Sequence, residues 1–527
     1  MNIIQYLVIP LLAATTALGA TSKPNILLIL ADDVGFSDLG CYGGEIATPN
    51  LDTLAAGGLR LTQFYNTARC TPSRATILTG LHPLQAGFRN MAGQLVTNAV
   101  TIPEVLKPAG YRTLMVGKWH LGEKNPPTNR GFDEFYGMLG GFNSFWAEKG
   151  SYTRWPQDRT TRVYEKDKFY STDVFADYSI DFIDDGKSGQ PWFLYLAFNA
   201  PHFPLHAPES DIAKYEAMYF EKGWDGIRAE RLARQKKLGL MPESLALTPR
   251  EPIPKNPYNG KTGWAGKEIP AWNSLPEDRR RDLARRMAVY AGMVDHMDQA
   301  IGRVLAHLKS TGQEQNTVIF FLSDNGACAE WDPFGFNGEE PKTGEGLKRI
   351  GGPGSYVSCG TGWANACNTP LRLYKHYAHE GGVRTPFIVH WPAGLKAKGM
   401  VPGLGYITDF MPTIRELAGA MYPNQVGDIA IQPEEGVSLV PVFNGTPLAP
   451  RKIFMEHEGS SFVREGDWKL VHLNTNPKDS LELYNLASDP TEMNNLAVQE
   501  PKRVNEMAAA YQGWMTRCRR MSAQDKQ

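Results

Sequence analysis

The stretch Asn25-Ile-Leu-Leu-Ile-Leu-Ala-Asp-Asp33 decides the fold. Its apolar part is of strand length, rich in branched side chains, and stops abruptly at two acids. The same pattern recurs along the chain. Thr113-Leu-Met-Val116 runs into Lys118-Trp-His120, and Trp192-Phe-Leu-Tyr-Leu-Ala-Phe198 runs into Asn199-Ala-Pro-His202. Thr317-Val-Ile-Phe-Phe-Leu322 runs into Asp324-Asn325. Between these runs lie helical signals: Thr48-Pro49 up to Gly57, Ile102-Pro103-Glu104 up to Gly110, and a longer amphipathic segment from Arg285 to Leu308. Strands alternating with helices predict an α/β fold around a mostly parallel sheet, buried on both faces. Ligands of such sheets bind beyond the carboxyl ends of the strands. All four polar clusters are therefore expected at one edge.

Working outward, 527 residues exceed one ordinary core and suggest a large α/β domain plus something smaller. The chain is 42% hydrophobic and 21% charged, a globular composition. A net charge of -1 gives no reason to expect nucleic acid as a partner. Arg279-Arg280-Arg281 and Arg285-Arg286, set among Asp278 and Asp282, read as a solvated helical face. Residues 1–20 are apolar, short for a membrane span, and end in small residues. They read as a signal peptide cleaved near Gly19 or Ala20, although without the usual basic n-region; an uncleaved anchor is the alternative. A periplasmic or secreted protein, with no stable membrane insertion after cleavage, follows. Six cysteines are too few to frame the fold, though Cys359 and Cys367 could pair after export. The stretches 140–190 and 207–273 look like loops that build substrate walls. Beyond about residue 445, Phe462 to Val471 reads as a hairpin, Leu481 to Tyr484 as a strand, and Glu500 to Arg519 as a closing helix. This is a small α+β domain over 445–527.

Three groups of residues carry chemistry. In Cys70-Thr-Pro-Ser-Arg74, Pro72 suits the first turn of a helix that runs through Thr79 and stops at Gly80. Residue 70 then sits at the positive helix end, with Arg74 beside it four positions on. Asp32-Asp33 and Asp324-Asn325 offer hard oxygen ligands, which favour Ca²⁺, or less readily Mg²⁺, over Zn²⁺. Lys118, His120, His202 and Lys375 would form an anion pocket containing proton donors.

Cys70-Thr-Pro-Ser-Arg-Ala-Thr-Ile-Leu-Thr-Gly80 resembles the signature of the type I sulfatases. So do Thr48-Pro-Asn-Leu-Asp52, Gly117-Lys-Trp-His-Leu-Gly122, Asn199-Ala-Pro-His202, Ser323-Asp-Asn-Gly326 and Glu380-Gly-Gly-Val-Arg384, in the family's order from about Pro24 to Leu496. The resemblance implies an alkaline-phosphatase-like catalytic domain over 24–444 with a small C-terminal domain. It implies that a separate maturation enzyme, reading Cys-x-Pro-x-Arg, oxidises Cys70 to formylglycine. Asp32, Asp33, Asp324 and Asn325 would bind Ca²⁺, with the modified residue 70 completing the shell. One hydroxyl of the hydrated aldehyde would attack sulfur, assisted by Asp324, while Lys118 and Arg74 hold the anionic oxygens. His202 and Lys375 would serve the departing alcohol, and His120 the second hydroxyl, whose deprotonation expels sulfate.

Around Lys375 the chain has Leu373-Tyr374 where many members carry Gly-Gly, and His379 where Trp or Tyr is common; this is similar to a bacterial arylsulfatase-like branch. Ser460 follows Glu456-His-Glu-Gly459, where some of that branch has Asn. The expected substrate is a sulfated carbohydrate, with small aryl sulfates as surrogates. Trp146 and His457 are expected at its rim, among Phe142, Phe145, Tyr152, Trp155, Trp264 and Trp272. The rival activities are phosphonate or phosphate-ester hydrolysis within the same superfamily, and non-catalytic sulfoglycan binding.

Overall fold

The computed structural model describes residues 23–147, 149–165, 168–186, 189–250, 268–330, 333–473 and 481–523. The expected signal peptide and Trp264 lie outside them. Among the described residues, no helix is long and apolar enough to cross a membrane.

The chain folds around a ten-stranded sheet: β1 (Asn25–Ala31), β2 (Leu59–Tyr65), β3 (Arg112–Lys118), β4 (Glu134–Met138), β5 (Thr153–Trp155), β6 (Trp192–Ala197), β7 (Thr317–Ser323), β8 (Arg384–Thr385), β9 (Phe387–His390) and β10 (Gly399–Tyr406). The order is β10-β2-β9-β7-β1-β6-β3-β4-β5, with β8 also paired to β2. The central block β7-β1-β6-β3-β4 is parallel throughout, and antiparallel pairs occur only toward the margins. In β1, Leu27, Ile29 and Ala31 face one core, and Ile26, Leu28 and Leu30 the other. That is why the run is apolar without alternation.

One face is covered by the helices Ser171–Asp184, Glu216–Lys237 and Glu277–Ser310, which contribute Phe175, Ile227 and Met287 to the first core. The other face is covered by Cys70–Thr79, Ile102–Leu106 and Phe410–Ala418, which contribute Ile77, Val105 and Ile414 to the second. A hairpin, β11 (Gln425–Val426) with β12 (Ile429–Ala430), stands on the surface. The smaller C-terminal unit is an antiparallel sheet of β13 (Lys452–His457), β14 (Ser460–Glu465), β15 (Trp468–His472) and β16 (Glu482–Asn485), followed by the helix Pro501–Ala523.

Several expectations need correction. Within 140–190 and 207–273, Ser171–Asp184 and Glu216–Lys237 are helices, not loop. Val174, Phe175, Tyr178 and Phe182 give the first its buried face. The arginine cluster is also not a solvated face: Arg279, Arg285 and Arg286 are buried. The segment from Phe336 to Ser358 is mostly irregular beside the helix Glu277–Ser310, and several of its carbonyls take their donors from these arginines. Arg286 donates to Phe336 O at 2.8 Å and Ser358 O at 3.1 Å, and pairs with Asp282 at 2.9 Å. Arg285 donates to Ile350 O and pairs with Glu209 and Glu216. Of the five arginines only Arg281 is exposed, Arg280 being half-buried. All six cysteines are free, so Cys359 and Cys367 form no disulfide. Cys367 closes the helix Thr361–Cys367, and its carbonyl accepts from Ser37 N and Oγ.

The two units share a buried charge cluster. Lys469 of β15 pairs with Glu380 at 2.8 Å and Glu492 at 2.9 Å, all three fully enclosed. Tyr65 donates to the other Glu380 oxygen at 2.8 Å. Removing Lys469 would leave two buried carboxylates with only Arg384, 3.6 Å from Glu380, to balance them. Lys469→Met should therefore destabilise the protein by about 3–5 kcal/mol. Urea unfolding should show the shift in midpoint, and an unchanged midpoint would mean that Lys469 carries no such weight.

Candidate active site

The parallel register brings the strand ends level. Ala31 pairs with Ser323, so Asp32 and Asp324 emerge side by side from β1 and β7. Gly117 pairs with Ala197, which sets Lys118 and the Asn199–His202 turn along the same edge. Asp33 has φ 74°, a left-handed turn that ends the strand and redirects the chain into the site. The helix Cys70–Thr79 enters from below, buried along its whole length and stopped at Gly80 with φ 67°. Ser73 Oγ donates to Asp324 O at 2.6 Å, tying this helix to β7.

The floor is a buried lattice of opposite charges. Arg74 donates Nε and Nη2 to Asp324 Oδ2 at 3.1 and 2.8 Å, and Nη1 to Lys118 O at 2.9 Å. Lys118 Nζ meets Asp32 Oδ2 at 2.5 Å, and Lys375 Nζ meets Asp33 Oδ1 at 2.7 Å. Asn325 Nδ2 donates to Asp33 Oδ1 at 2.5 Å. Burial alone would push Asp32 up, but Lys118, His202, Arg74 and Lys375 outweigh it and hold the carboxyl far below its usual range. Asp324 goes the other way, raised by burial and by Asp32 against the pull of Arg74. Burial would also raise the Cys70 thiol; Lys118 and Lys375 reverse this and keep it below its ordinary value. His120 is pushed well down by burial, Lys118 and Arg74, so its imidazole is neutral near pH 7. His202 donates Nδ1–H to Phe203 O at 2.6 Å, since a carbonyl can only accept, and its Nε2 lies 3.8 Å from Asp33 Oδ2.

This floor fits a hard cation. Asp32 Oδ1, Asp33 Oδ2 and Asn325 Oδ1 are buried oxygens without a hydrogen-bond partner. Buried acceptors left in this way are costly and rare. Carboxylate and carboxamide oxygens suit Ca²⁺ or Mg²⁺. Ligand atoms of Asp32, Asp33 and His202 also lie within 4.8 Å of one another, a grouping that adds an imidazole to the expected oxygens.

Above the floor opens a cavity of about 1010 Å³, lined among others by Cys70, His120, His202 and Lys375. A second cavity, about 770 Å³, lies between the C-terminal sheet and its helix and has none of these groups. All ten residues expected at the floor — Asp32, Asp33, Cys70, Arg74, Lys118, His120, His202, Asp324, Asn325 and Lys375 — meet there. The two rim residues do not line the cavity. Trp146 is half-buried, donates Nε1–H to Gly351 O at 3.2 Å and packs on Tyr170, which makes it part of the core margin. Phe145 and Trp272 are likewise core, each 1% exposed. His457 ends β13 and is buried, with both ring nitrogens unpartnered by hydrogen bonds and Nε2 3.2 Å from Glu458 Oε2. Burial, and then the charge of Arg69, drive its imidazole down to about 3.

Sequence reasoning missed Arg69, Glu330, Phe203, Phe336 and Tyr356, which line the cavity, and His376. Arg69 Nη1 lies 2.6 and 3.0 Å from the ring nitrogens of His376. The adjacency of Arg69 to Cys70, and of His376 to Lys375, was an available signal. Glu330, 3.8 Å from Lys375 Nζ, had none, because only the fold returns it to the site.

Residues 24–420 match the family described as Sulfatase, and residues 372–520 match N-sulphoglucosamine sulphohydrolase, C-terminal. The chain is 34% identical to an uncharacterized sulfatase of Schizosaccharomyces pombe over 533 residues, covering 92% of each. It is 33% identical to the arylsulfatase of Klebsiella aerogenes, covering 81% of this chain and 94% of that one. Among solved structures it is similar to Ps i-CgsB in complex with k-i-k-neocarrahexaose, with a TM-score of 0.66 and 25% identity, covering 93% and 92% of the two chains. The family match over most of the chain and the sulfatase fold lead to one conclusion: this chain belongs to the sulfatase family, the sulfuric ester hydrolases.

Proposed function

We propose that the protein is an exported, Ca²⁺-dependent sulfatase that removes sulfate from a carbohydrate with a formylglycine made from Cys70. The carrying observation is the convergence of Cys70, three buried cations and three unpartnered oxygens on one floor. Oxidation of Cys70 by a maturation enzyme would supply an aldehyde hydrate, with one hydroxyl to attack sulfur and a second to let sulfate go. Ca²⁺ held by Asp32, Asp33, Asp324 and Asn325 would supply positive charge where the sulfate oxygens sit.

The side chains divide the remaining work. Lys118 and Arg74 bind the anionic oxygens from the floor, preorganised by their contacts with Asp32 and Asp324. Asp324, held by Arg74 and tied through its carbonyl to Ser73 of the helix that carries residue 70, would assist the attacking hydroxyl. Lys375 and the Nε2 edge of His202 face the departing alcohol oxygen and stabilise or protonate it. Neutral His120 is suited to accept the proton whose loss expels sulfate.

The carbohydrate assignment draws on the cavity, far larger than sulfate requires, and on the oligosaccharide bound by Ps i-CgsB. His457 is buried off the cavity, near enough to Arg69 of its wall to feel that charge. Export draws on the apolar N-terminal residues. The test is sulfate release from defined sulfated mono- and oligosaccharides beside p-nitrophenyl sulfate. If a bound saccharide reaches past the wall to His457, His457→Ala should lower kcat/KM on the saccharide roughly tenfold more than on the aryl ester, because remote contacts serve only the larger substrate. Equal losses would mark His457 as structural. Turnover of aryl sulfate with no saccharide desulfated would remove the carbohydrate part of the reading.

A further inference from the structure

Among the described residues, Phe142 and Tyr356 are the aromatic side chains left exposed, each at 50%, and both stand at the mouth of the catalytic cavity. Burying such rings is ordinarily favourable, so two exposed ones at a single opening need a reason. Behind them sit Phe203 and Phe336. Phe203 lies edge-on to Tyr356 with centroids 4.5 Å apart and to Phe336 at 4.9 Å, while Phe336 and Tyr356 are nearly parallel, 16° apart. Phe142 leans on Phe203 at 5.5 Å. The four rings form one continuous wall.

The wall begins at His202. The Phe142 ring lies 16° from the plane of His202, with centroids 6.5 Å apart, and His202 is anchored through Nδ1 to the carbonyl of Phe203. Phe142 is also joined to the opposite end of the site. Gly141 runs so close under His120 that a Cβ there would come 2.8 Å from Nε2, which fixes the Gly140-Gly141-Phe142 path across the cavity. Sulfate must sit on the charged floor, and His202 faces the leaving oxygen. The carbon skeleton attached to that oxygen must therefore leave along this wall.

We infer that Phe142 and Tyr356, backed by Phe203, are a specificity clamp that holds a flat ring on the leaving alcohol, the C–H face of a pyranose or the face of an aryl group. The inference rests on the sulfatase reading of the floor and deepens it: the enzyme selects cyclic over open-chain sulfate esters. A stacked ring gains about five- to tenfold in binding per aromatic partner. A flexible short chain gains little.

The experiment uses the full-length, matured enzyme with phenyl sulfate and ethyl sulfate. Phe142→Ala and Tyr356→Ala should each lower the phenyl-to-ethyl ratio of kcat/KM about five- to tenfold, mostly through KM for phenyl sulfate. Phe142→Trp and Tyr356→Phe keep a ring and should hold the ratio near its starting value, which separates stacking from damage to the fold. Proportional losses on both esters, or no change in the ratio, would overturn the clamp. A ratio that responds as expected while no sulfated saccharide is turned over would uphold the clamp for aryl rings and reject only the carbohydrate substrate.

Discussion

Cys70→Ser should fold and be almost inert, with turnover of p-nitrophenyl sulfate reduced roughly 10⁴-fold or more, the scale of losing a nucleophile from an intact site. Serine is close in size to cysteine, and the side chain at 70 is buried, 2% exposed, on a helix held by Ser73 and Arg74. The thermal midpoint should therefore move little. Chemistry suffers because an ordinary hydroxyl gives a sulfate ester without a second oxygen to expel it, and a cysteine-specific modifying enzyme has no substrate there. Peptide mass analysis of active wild-type protein should show an aldehyde in the Cys70 peptide, rising with specific activity. Full activity of protein carrying only the thiol would refute the mechanism.

Asp33→Ala should cost roughly 10³-fold in kcat/KM, the scale of losing a main electrostatic stabiliser, and should lower bound Ca²⁺ in parallel. Asp33 does two things at once. It offers an unpartnered oxygen to a cation and holds Lys375 at 2.7 Å and Asn325 at 2.5 Å. Exhaustive chelation of the wild type should imitate the loss, and added Ca²⁺ should restore both turnover and thermal stability, as a ligand of the folded state must. Full activity of metal-free protein would reject the cation site. Loss of activity in Asp33→Ala with Ca²⁺ content unchanged would assign Asp33 to Lys375 alone.

Much of the floor was legible because its residues follow apolar runs, whereas Cys70, Arg74 and Lys375 were found through motifs. A parallel sheet converts "end of strand" into "same edge", and Asp32, Lys118, His202 and Asp324 obey that rule. The rim was not. Trp146 and Phe145 share the Gly-flanked, aromatic context of Phe142, yet Phe145 packs in the core and Phe142 faces water. Local composition cannot separate them, because which ring is covered depends on Tyr170 and His206, distant in sequence. Arg285 and Arg286 failed for a related reason. Charge predicts solvent only when no stray carbonyls need donors, and those carbonyls come from residues 336–358. Glu330 lies four residues beyond the Ser323–Gly326 motif, in a left-handed conformation, φ 46°, and 3.8 Å from Lys375.

The sheet order also sets a timetable. The innermost strand, β1, is the first to be made, but one flanking partner, β6, ends at Ala197 and the other, β7, only at Ser323. Ser73 of the helix Cys70–Thr79 is tied to Asp324, just after β7, so the helix, whose residues end up wholly enclosed, reaches its final setting only once β7 is made. At about 5–20 residues per second, the roughly 250 residues from Cys70 to Ser323 take on the order of tens of seconds to emerge from a ribosome. Long-range pairing of this kind is slow in any case. The maturation enzyme proposed for Cys70 would have that interval to reach it, and afterwards would meet a residue on a buried helix.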